Sequence, residues 1–132
     1  MRVLVLEDSI DRITEFKERF KDIPAIVVYV DTVDGFIQEL EKNPFPDLFF
    51  LDHDLGGLAY VPVDDPNTGS AAVKHLTENF TAADFKYPVL LHSANPAGRD
   101  NMYSLFQDER IHAVKTPYVW LKSEFSKYIK IQ

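Results

Sequence analysis

Five short runs of apolar residues, separated by segments of helical periodicity, are the feature that most constrains how this chain can fold. The runs occupy residues 2–6, 25–30, 48–51, 88–91 and 111–114, and each has the length of a β-strand. They are unbroken rather than alternating with polar residues, which is typical of strands in a parallel sheet that helices cover on both faces. The pattern therefore favours an α/β fold.

The segments between these runs carry apolar residues at helical spacing. They predict a first helix over residues 9–20, a second behind a cap at Thr32 and a third behind a cap at Thr68. Residues 96–106 and 119–129 predict a fourth and a fifth helix. Five βα units favour an open, doubly wound, flavodoxin-like sheet in the order 2-1-3-4-5, since a closed barrel needs about 250 residues. We expect a three-layer αβα sandwich.

Length and composition agree with one domain over residues 1–132, because 45% of the residues are hydrophobic and can form a core. No apolar run reaches the roughly 20 residues of a membrane span, and the N-terminal segment turns acidic where a signal peptide would stay apolar. We therefore expect a cytoplasmic protein without membrane contact. The sequence has no cysteine, so any metal ligand must be a carboxylate or an imidazole.

The charge of the chain is unevenly distributed. Its formal net charge is −7, which argues against binding to duplex DNA, because phosphate backbones are held mainly by clustered Lys and Arg. Basic residues concentrate towards the end of the sequence, at Arg110, Lys115, Lys122, Lys127 and Lys130. Two interpretations stay open: one pole of the molecule binds a phosphate, or an acidic surface serves solubility and a basic last helix complements its own dipole.

Polar residues follow strands 1 and 3 of the predicted sheet, where a doubly wound fold binds its ligands. Glu7 and Asp8 come after strand 1, and Asp52, His53 and Asp54 come after strand 3. Carboxylates are the ligands that Mg²⁺ prefers, and Mn²⁺ suits the same oxygen atoms. Any one carboxylate taken alone is better explained structurally, with Asp8 as a cap of helix 1 and Asp54 as a turn residue. Taken together, they predict a metal site.

Strands 4 and 5 add groups that suit a phosphate. His92, Ser93 and Asn95 follow strand 4, and Lys115 follows strand 5. A hydroxyl donor and an ammonium group opposite a metal can neutralise phosphoryl oxygens. Asn95 could form a phosphate-binding turn at the start of helix 4, or it could be an ordinary helix entry before proline. Ser93, Asn95 and Lys115 are therefore the predicted phosphate-binding residues.

The order and spacing of these residues resemble the response-regulator receiver (CheY-like) domains over essentially the whole chain. The acidic pair, the phosphoacceptor aspartate, the hydroxyl residue and the lysine of that family correspond to Glu7-Asp8, Asp52, Ser93 and Lys115. The resemblance implies that Glu7, Asp8 and Asp52 hold magnesium and that Asp52 attacks phosphorus. It also implies that Ser93 and Lys115 bind the phosphoryl oxygens.

Four motifs resemble one subfamily more specifically, the cyclic-phosphate processing receiver domain. They are LDHDLGG, PNTG, HSANPAG and PYVW, and a long insert at about residues 55–68 separates the first from the second. This resemblance implies an enzyme or a sensor acting on a cyclic phosphate of a nucleotide or an RNA end.

Two histidines and one further aspartate depart from ordinary receivers. Asp54 adds negative charge at the rim, where it would repel phosphate unless a metal or His53 compensates. His53 or His92 could act as acid or base, because an imidazole titrates near neutrality. His53 could instead form a plain hydrogen bond to the insert, and the alternation of the strand could turn His92 into the core. The candidate catalytic residues are thus Asp52, His53, Asp54, His92, Ser93 and Lys115.

Two functions from different classes remain open. One is a magnesium-dependent, phosphoesterase-like enzyme, and the other is a stand-alone receiver that is phosphorylated on Asp52 and docks a protein partner through helix 4, strand 5 and helix 5. A third hypothesis is a binding protein with the receiver fold that neither catalyses a reaction nor is phosphorylated. Tyr60, Tyr118 and Trp120 could stack on a base or pack internally, whereas Phe125 is expected in the core.

Overall fold

Five parallel strands form one sheet in the computed structural model, which describes residues 1–118. The strands are β1 (Arg2–Leu6), β2 (Ile26–Val30), β3 (Leu48–Leu51), β4 (Val89–Leu91) and β5 (Ala113–Lys115). Their order is β2-β1-β3-β4-β5, and every neighbouring pair is parallel. The predicted α/β fold class and strand order are therefore confirmed. Strand β5 begins two residues later than predicted, so that Lys115 is its last residue.

Four helices connect the strands, and their starts agree with the sequence prediction. They are α1 (Ile10–Phe20), α2 (Val33–Lys42), α3 (Gly69–Asn79) and α4 (Pro96–Asp108), and a short 3₁₀ turn lies at Ala82–Asp84. The side chains of Ser9, Thr32, Thr68 and Asn95 each accept a backbone N–H of the helix that follows. Among these helices, none is both long enough and apolar enough to cross a membrane. The predicted fifth helix, with Trp120 and Phe125, lies outside the described residues.

The two faces of the sheet pack against different helices. Val5, Phe16 and Phe50 belong to a buried cluster on the α1 face, whereas Leu6 and Leu51 belong to a larger cluster that contains residues of α2, α3 and α4. Successive residues of a strand point to opposite faces. The same alternation extends to the polar residues that follow each strand. Glu7, Asp52 and His92 therefore lie on the α1 side of the sheet, and His53 lies on the other side.

The insert forms a loop between β3 and α3 whose two ends lie side by side. An antiparallel bridge between Asp54 and Thr68 joins its two ends. The hydroxyl of Thr68 donates to the carbonyl oxygen of Asp65 at 2.9 Å, and Asn67 accepts the N–H of Val33 at 3.1 Å. The insert is therefore tied at its base to the start of α2 and stands beside the carboxyl end of β3.

Two glycines allow α3 and α4 to approach the end of β3. A Cβ atom on Gly69 would lie 2.1 Å from the backbone oxygen of Asp52, and one on Gly98 would lie 2.3 Å from Cγ of His53. Real Cβ atoms do not come so close to other heavy atoms. Close packing around Asp52 and His53 therefore explains the glycines of the PNTG and HSANPAG motifs.

Candidate functional site

A cavity of about 450 Å³ opens at the carboxyl ends of β1, β3 and β4. Its walls come from three stretches that are far apart in the sequence, within residues 7–12, 52–60 and 93–95. The lining residues are Glu7, Asp8, Ser9, Arg12, Asp52, Asp54, Gly57, Leu58, Ala59, Tyr60, Ser93, Ala94 and Asn95. The cavity thus brings together six of the nine predicted site residues, and His53, His92 and Lys115 do not line it.

Glu7 is a fully buried carboxylate that is held on both oxygens. Its Oε2 atom accepts the backbone N–H groups of Asp8 and Ser9, both at 3.0 Å, and its Oε1 atom accepts the Nε2–H of His92 at 2.9 Å. Burial alone would raise the pKa of Glu7, but the hydrogen bond and charge of His92, together with Ser9 N–H and Arg12, lower it to about 2. Glu7 is therefore a fixed anion.

His92 lies against the aromatic core of the α1 face. Its ring centre is 5.5 Å from that of Phe16 and 6.2 Å from that of Tyr118. Nδ1 of His92 is buried and has no hydrogen-bond partner among residues 1–118. The Nε2–H of His92 is the group that Glu7 accepts. His92 therefore positions Glu7 and packs internally.

Asp52 and Asp8 carry charge that their surroundings do not fully neutralise. Burial is the main cause that raises the pKa of Asp52 to about 7, and the charge of Glu7 adds to it against the opposing effects of His92 and Arg12. Burial likewise raises the pKa of Asp8, although the N–H of Gly57 donates to its Oδ2 atom at 2.6 Å and acts in the opposite direction. Both carboxylates would gain from a nearby cation.

Arg12 is a site residue that the sequence analysis missed. Its Nη1 atom lies 3.6 Å from Oε1 of Glu7 and 3.8 Å from Oδ2 of Asp52, and its guanidinium carbon lies 4.6 Å from the ring centre of Tyr118. Among the described residues that line the cavity, it is the only cation. Its place in the first turn of α1, just beyond the carboxylates of β1, was the available signal.

The donor set at the rim fits a divalent cation. Glu7, Asp52 and His92 offer ligand atoms that all lie within 4.8 Å of one another. Among residues 1–118, four carboxylates line the cavity against one guanidinium, so an anionic phosphate would meet an excess of negative charge from this part of the chain. Oxygen donors suit Mg²⁺ and Mn²⁺, and the ligands come from the carboxylates because Nε2 of His92 is engaged by Glu7. The residues present therefore match the predicted class of metal.

His53 lies beneath the cavity, fully buried on the α3 and α4 face. Its Nδ1–H donates to Oδ1 of Asp54 at 2.9 Å, and the hydroxyl of Ser70 lies 2.9 Å from its Nε2 atom. The amide of Asn101 donates to Oγ of Ser70 at 2.8 Å, so the Ser70 hydrogen is directed at His53. Both ring nitrogens of His53 are thereby used within the protein.

Asp54 accepts hydrogen bonds from four groups. The N–H groups of Tyr60 and Val61 donate to it at 2.6 and 3.1 Å, the amide of Asn95 donates at 3.0 Å, and His53 completes the set. Burial would raise the pKa of Asp54, but these hydrogen bonds outweigh it and lower the pKa. The negative charge expected at this position is therefore compensated by donors that also shape the insert.

The three predicted phosphate-binding residues lie in three different environments. Oγ of Ser93 accepts the N–H of Asn95 at 3.1 Å, which leaves its hydroxyl hydrogen to be donated. Asn95 caps α4 and also donates to Asp54, so its side chain is engaged within the protein. Nζ of Lys115 lies 3.4 Å from Oδ1 of Asp100 and 4.8 Å from the ring centre of Tyr103, against α4. The structure does not bring Lys115 to the cavity.

The aromatic residues that could stack on a base lie in different places. The hydroxyl of Tyr118 donates to Glu15, and its ring packs on Phe16, which places it on the α1 face. Tyr60 is 74% exposed on the wall of the cavity. Tyr60 is therefore the aromatic candidate that a ligand in this cavity can reach, and Trp120 lies outside the described residues.

Several solved structures share this fold. The signal receiver domain of a Luxo repressor protein from Vibrio parahaemolyticus is 23% identical, with a TM-score of 0.63, over 97% of this chain and 88% of its own. The Mn²⁺-bound response regulator Rcp1 is 18% identical, with a TM-score of 0.65, over 99% and 96%. The response regulator TrrA from Thermotoga maritima, in complex with Mg²⁺ and BeF, is 16% identical, with a TM-score of 0.62, over 96% of each chain. These similarities establish the receiver fold.

A family model matches most of the chain. No curated protein matches it. The matching model describes the cyclic-phosphate processing receiver domain and covers residues 2–108, which include Glu7, Asp8, Asp52, the whole insert and the HSANPAG motif. The resemblance seen in the sequence is confirmed by this match and by the fold, and the chain belongs to the cyclic-phosphate processing receiver domain family.

Proposed function

We propose that the cavity binds a phosphate group with the help of a divalent cation and opens a cyclic phosphate carried by a nucleotide or an RNA end. The observation that carries this proposal is the walled cavity above Asp52. Its volume of about 450 Å³ falls within the about 300–1,000 Å³ of typical small-molecule sites. The insert supplies one wall of this cavity, so that the site has room for more than a transferred phosphoryl group.

Glu7, Asp8 and Asp52 are the residues that would hold the cation in this proposal. Mg²⁺ or Mn²⁺ would supply Lewis acidity that neutralises charge on the phosphoryl oxygens. Two proteins of the same fold support this choice, since Rcp1 is described with Mn²⁺ and TrrA with Mg²⁺. His92 and the N–H groups of Asp8 and Ser9 keep the Glu7 carboxylate in place for this task.

Asp52 is the nucleophile in the proposed reaction. One of its carboxylate oxygens forms a bond to phosphorus, the bond from phosphorus to one ribose oxygen breaks, and that oxygen takes a proton from water. The hydroxide left by that proton transfer then attacks phosphorus and displaces the Asp52 oxygen, which restores the carboxylate and releases a phosphomonoester with an open ring. Asp52 suits this role because it is buried at the base of the cavity and its Oδ2 atom is not engaged by a backbone donor.

Arg12 and Ser93 complete the phosphate site. Arg12 is the cation that lines the cavity among residues 1–118, and we assign to it the charge neutralisation that the family resemblance gives to Lys115. The hydroxyl of Ser93 supports the same phosphoryl group as a donor. Catalytic roles for His53 and His92 stay predictions, and the contacts of both rings favour positioning roles, for Asp54 and Glu7 respectively.

The proposed activity is tested by following adenosine 2′,3′-cyclic phosphate with the protein and Mg²⁺ by phosphorus NMR. We expect the ring signal to convert to a single phosphomonoester with the wild-type protein, and to stay unchanged with Asp52→Asn or after chelation of the metal. The variant Asp22→Asn, at an exposed position, is the matched control and is expected to behave as wild type. A substrate that stays cyclic with the wild-type protein would contradict the proposal.

A receiver switch is the second candidate function. A shallow groove of about 270 Å³ lies between α4 and β5, on part of the face where the sequence predicts a protein partner. One protein of the same fold, TrrA, is described in complex with the histidine kinase ThkA. Phosphorylation of Asp52 by a small phosphodonor, detected as a mass increase that hydroxylamine removes, would support this switch. An unmodified protein would contradict it.

A further inference from the structure

We propose that Leu58, Ala59 and Tyr60, which we term the lip, bind the nucleoside that carries the phosphate, with the base stacked on the ring of Tyr60. This inference rests on the proposed function, since it names the class of ligand that the same cavity takes. It commits to a terminal nucleoside with a phosphate group on its ribose, whether this is a free nucleotide or the end of an RNA chain.

The lip exposes large apolar side chains at the edge of a charged cavity. Leu58 is 65% exposed and Tyr60 is 74% exposed, and both line the cavity. A single exposed apolar residue is ordinary, but two of them within three residues on the wall of one cavity are a feature of binding sites. The lip therefore offers an apolar surface next to the phosphate-binding residues.

Hydrogen bonds to the rim hold the lip in place on both sides. Gly57 precedes it, and its N–H donates to Asp8 at 2.6 Å. At its end, the N–H of Tyr60 donates to Asp54 at 2.6 Å, and the carbonyl oxygen of Val61 accepts the amide of Asn95 at 3.3 Å. The lip is thus fixed to residues of the same rim, so that its apolar side chains have a defined position relative to the phosphate site.

The backbone of Tyr60 is unusual for an aromatic residue. Its φ is 55°, in the left-handed region that residues other than Gly, Asn and Asp seldom adopt. Val61, the next residue, is buried, whereas the Tyr60 ring is directed outwards. The fold thereby keeps a strained conformation that exposes an aromatic ring, and such strain clusters at ligand-binding positions.

The chemistry of the two parts of the cavity matches the two parts of a nucleotide. The carboxylates with a cation, Arg12 and Ser93 suit the phosphate, and the aromatic and aliphatic side chains of the lip suit a base. Base stacking on an aromatic side chain changes affinity by roughly five-fold to a hundred-fold. The net charge of −7 and the acidic rim disfavour a long polyanion, so the ligand is expected to be held by its terminal nucleoside.

The test compares the binding of adenosine 3′-monophosphate and glycerol phosphate in the presence of Mg²⁺ by calorimetry. We expect the wild-type protein to bind the nucleotide about ten-fold more tightly than glycerol phosphate. Tyr60→Phe should keep this preference. Tyr60→Asn should lose it without weakening glycerol phosphate, because asparagine tolerates the left-handed backbone but lacks the ring. Equal affinities for the two ligands in the wild-type protein, or an equal loss of both in Tyr60→Asn, would overturn the inference.

Two further arms separate the sources of the ligand and the two proposals. A short RNA ending in a 3′-phosphate should bind about as tightly as the mononucleotide. A protein that binds the RNA but not the mononucleotide would overturn the inference. The protein could prefer the nucleotide through Tyr60 and still leave every cyclic phosphate intact. This result would support nucleoside binding by the lip and refute the proposed reaction. The protein could instead turn over nucleoside and glycerol cyclic phosphates at equal rates, with no effect of Tyr60→Asn. This result would refute nucleoside binding by the lip and leave the proposed reaction standing.

Discussion

The two faces of the sheet use their buried polar residues in opposite ways. On the α1 face, Glu7 and Asp52 form an anionic cluster that borders the cavity and has one guanidinium beside it. On the α3 and α4 face, both ring nitrogens of His53 have a protein partner, and both carboxylate oxygens of Asp54, at the edge of the cavity, accept hydrogen bonds from the protein. Neighbouring residues of the LDHDLGG motif therefore have different roles: Asp52 faces the ligand, whereas His53 and Asp54 hold the protein scaffold together.

Arg12 and Lys115 give the largest expected contrast between the faces. Removing a cation that stabilises the reacting phosphate should lower kcat/KM for a cyclic nucleotide by about 100-fold in Arg12→Met. Lys115→Met should lower it by about two-fold or less, because Lys115 lies against Asp100 and Tyr103. The two rates are measured by phosphorus NMR under the same conditions. A larger loss of kcat/KM in Lys115→Met than in Arg12→Met would contradict the assignment of charge neutralisation to Arg12.

Gly98 tests the packing of the scaffold face. A Cβ atom in Gly98→Ala would lie 2.3 Å from Cγ of His53, so the ring or the start of α4 has to move. Overpacking of this kind costs about 1–3 kcal/mol, and we expect the free energy of unfolding in urea to fall by that amount. A variant as stable as the wild-type protein would show that His53 is less tightly held than the structure indicates.

Ser70 gives the smallest expected effect and tests whether His53 belongs to the scaffold. Ser70→Ala removes the hydroxyl that lies 2.9 Å from Nε2 of His53 and should lower stability by about 1–2 kcal/mol. The exposed Ser104→Ala on α4 is the matched control, with an expected change below about 0.5 kcal/mol. At temperatures where Ser70→Ala stays folded, kcat should be unchanged. A loss of kcat without a loss of stability would indicate that His53 takes part in the chemistry.

Much of the fold could be predicted because its strongest signals are local. Unbroken apolar runs mark buried parallel strands, and Ser9, Thr32 and Thr68 mark the helix starts that the structure shows. The start of β5 was less clear. Ile111 begins the apolar run in the sequence, but it follows Arg110, whose φ is in the left-handed region, and it is buried before the strand begins.

The site was harder to predict than the fold, because hydrogen-bond partners depend on the conformation of loops. The carboxylates of the cavity follow strand ends and could be recognised from their spacing. The partners of Asp54 are backbone N–H groups of the insert, such as those of Tyr60 and Val61, and no residue type reveals them. Arg12 resembles an ordinary surface residue of α1, and only the packing of α1 beside β1 brings it to Glu7 and Asp52.

Asp52 and Asp54 form a matched pair for separating ligand binding from scaffold stability, since they are two residues apart and carry the same side chain. The measurement is Mn²⁺ affinity by electron paramagnetic resonance, together with urea unfolding of the metal-free protein, for Asp52→Asn and Asp54→Asn. We expect Asp52→Asn to lose at least about ten-fold in Mn²⁺ affinity without loss of stability, because a buried, incompletely neutralised charge is removed. We expect Asp54→Asn to retain Mn²⁺ binding and to lose about 1–3 kcal/mol of stability, because its four donors lose their ionised acceptor. Equal effects of the two substitutions, or strong Mn²⁺ binding that survives in Asp52→Asn, would contradict the division of roles between Asp52, which serves the ligand, and Asp54, which serves the scaffold.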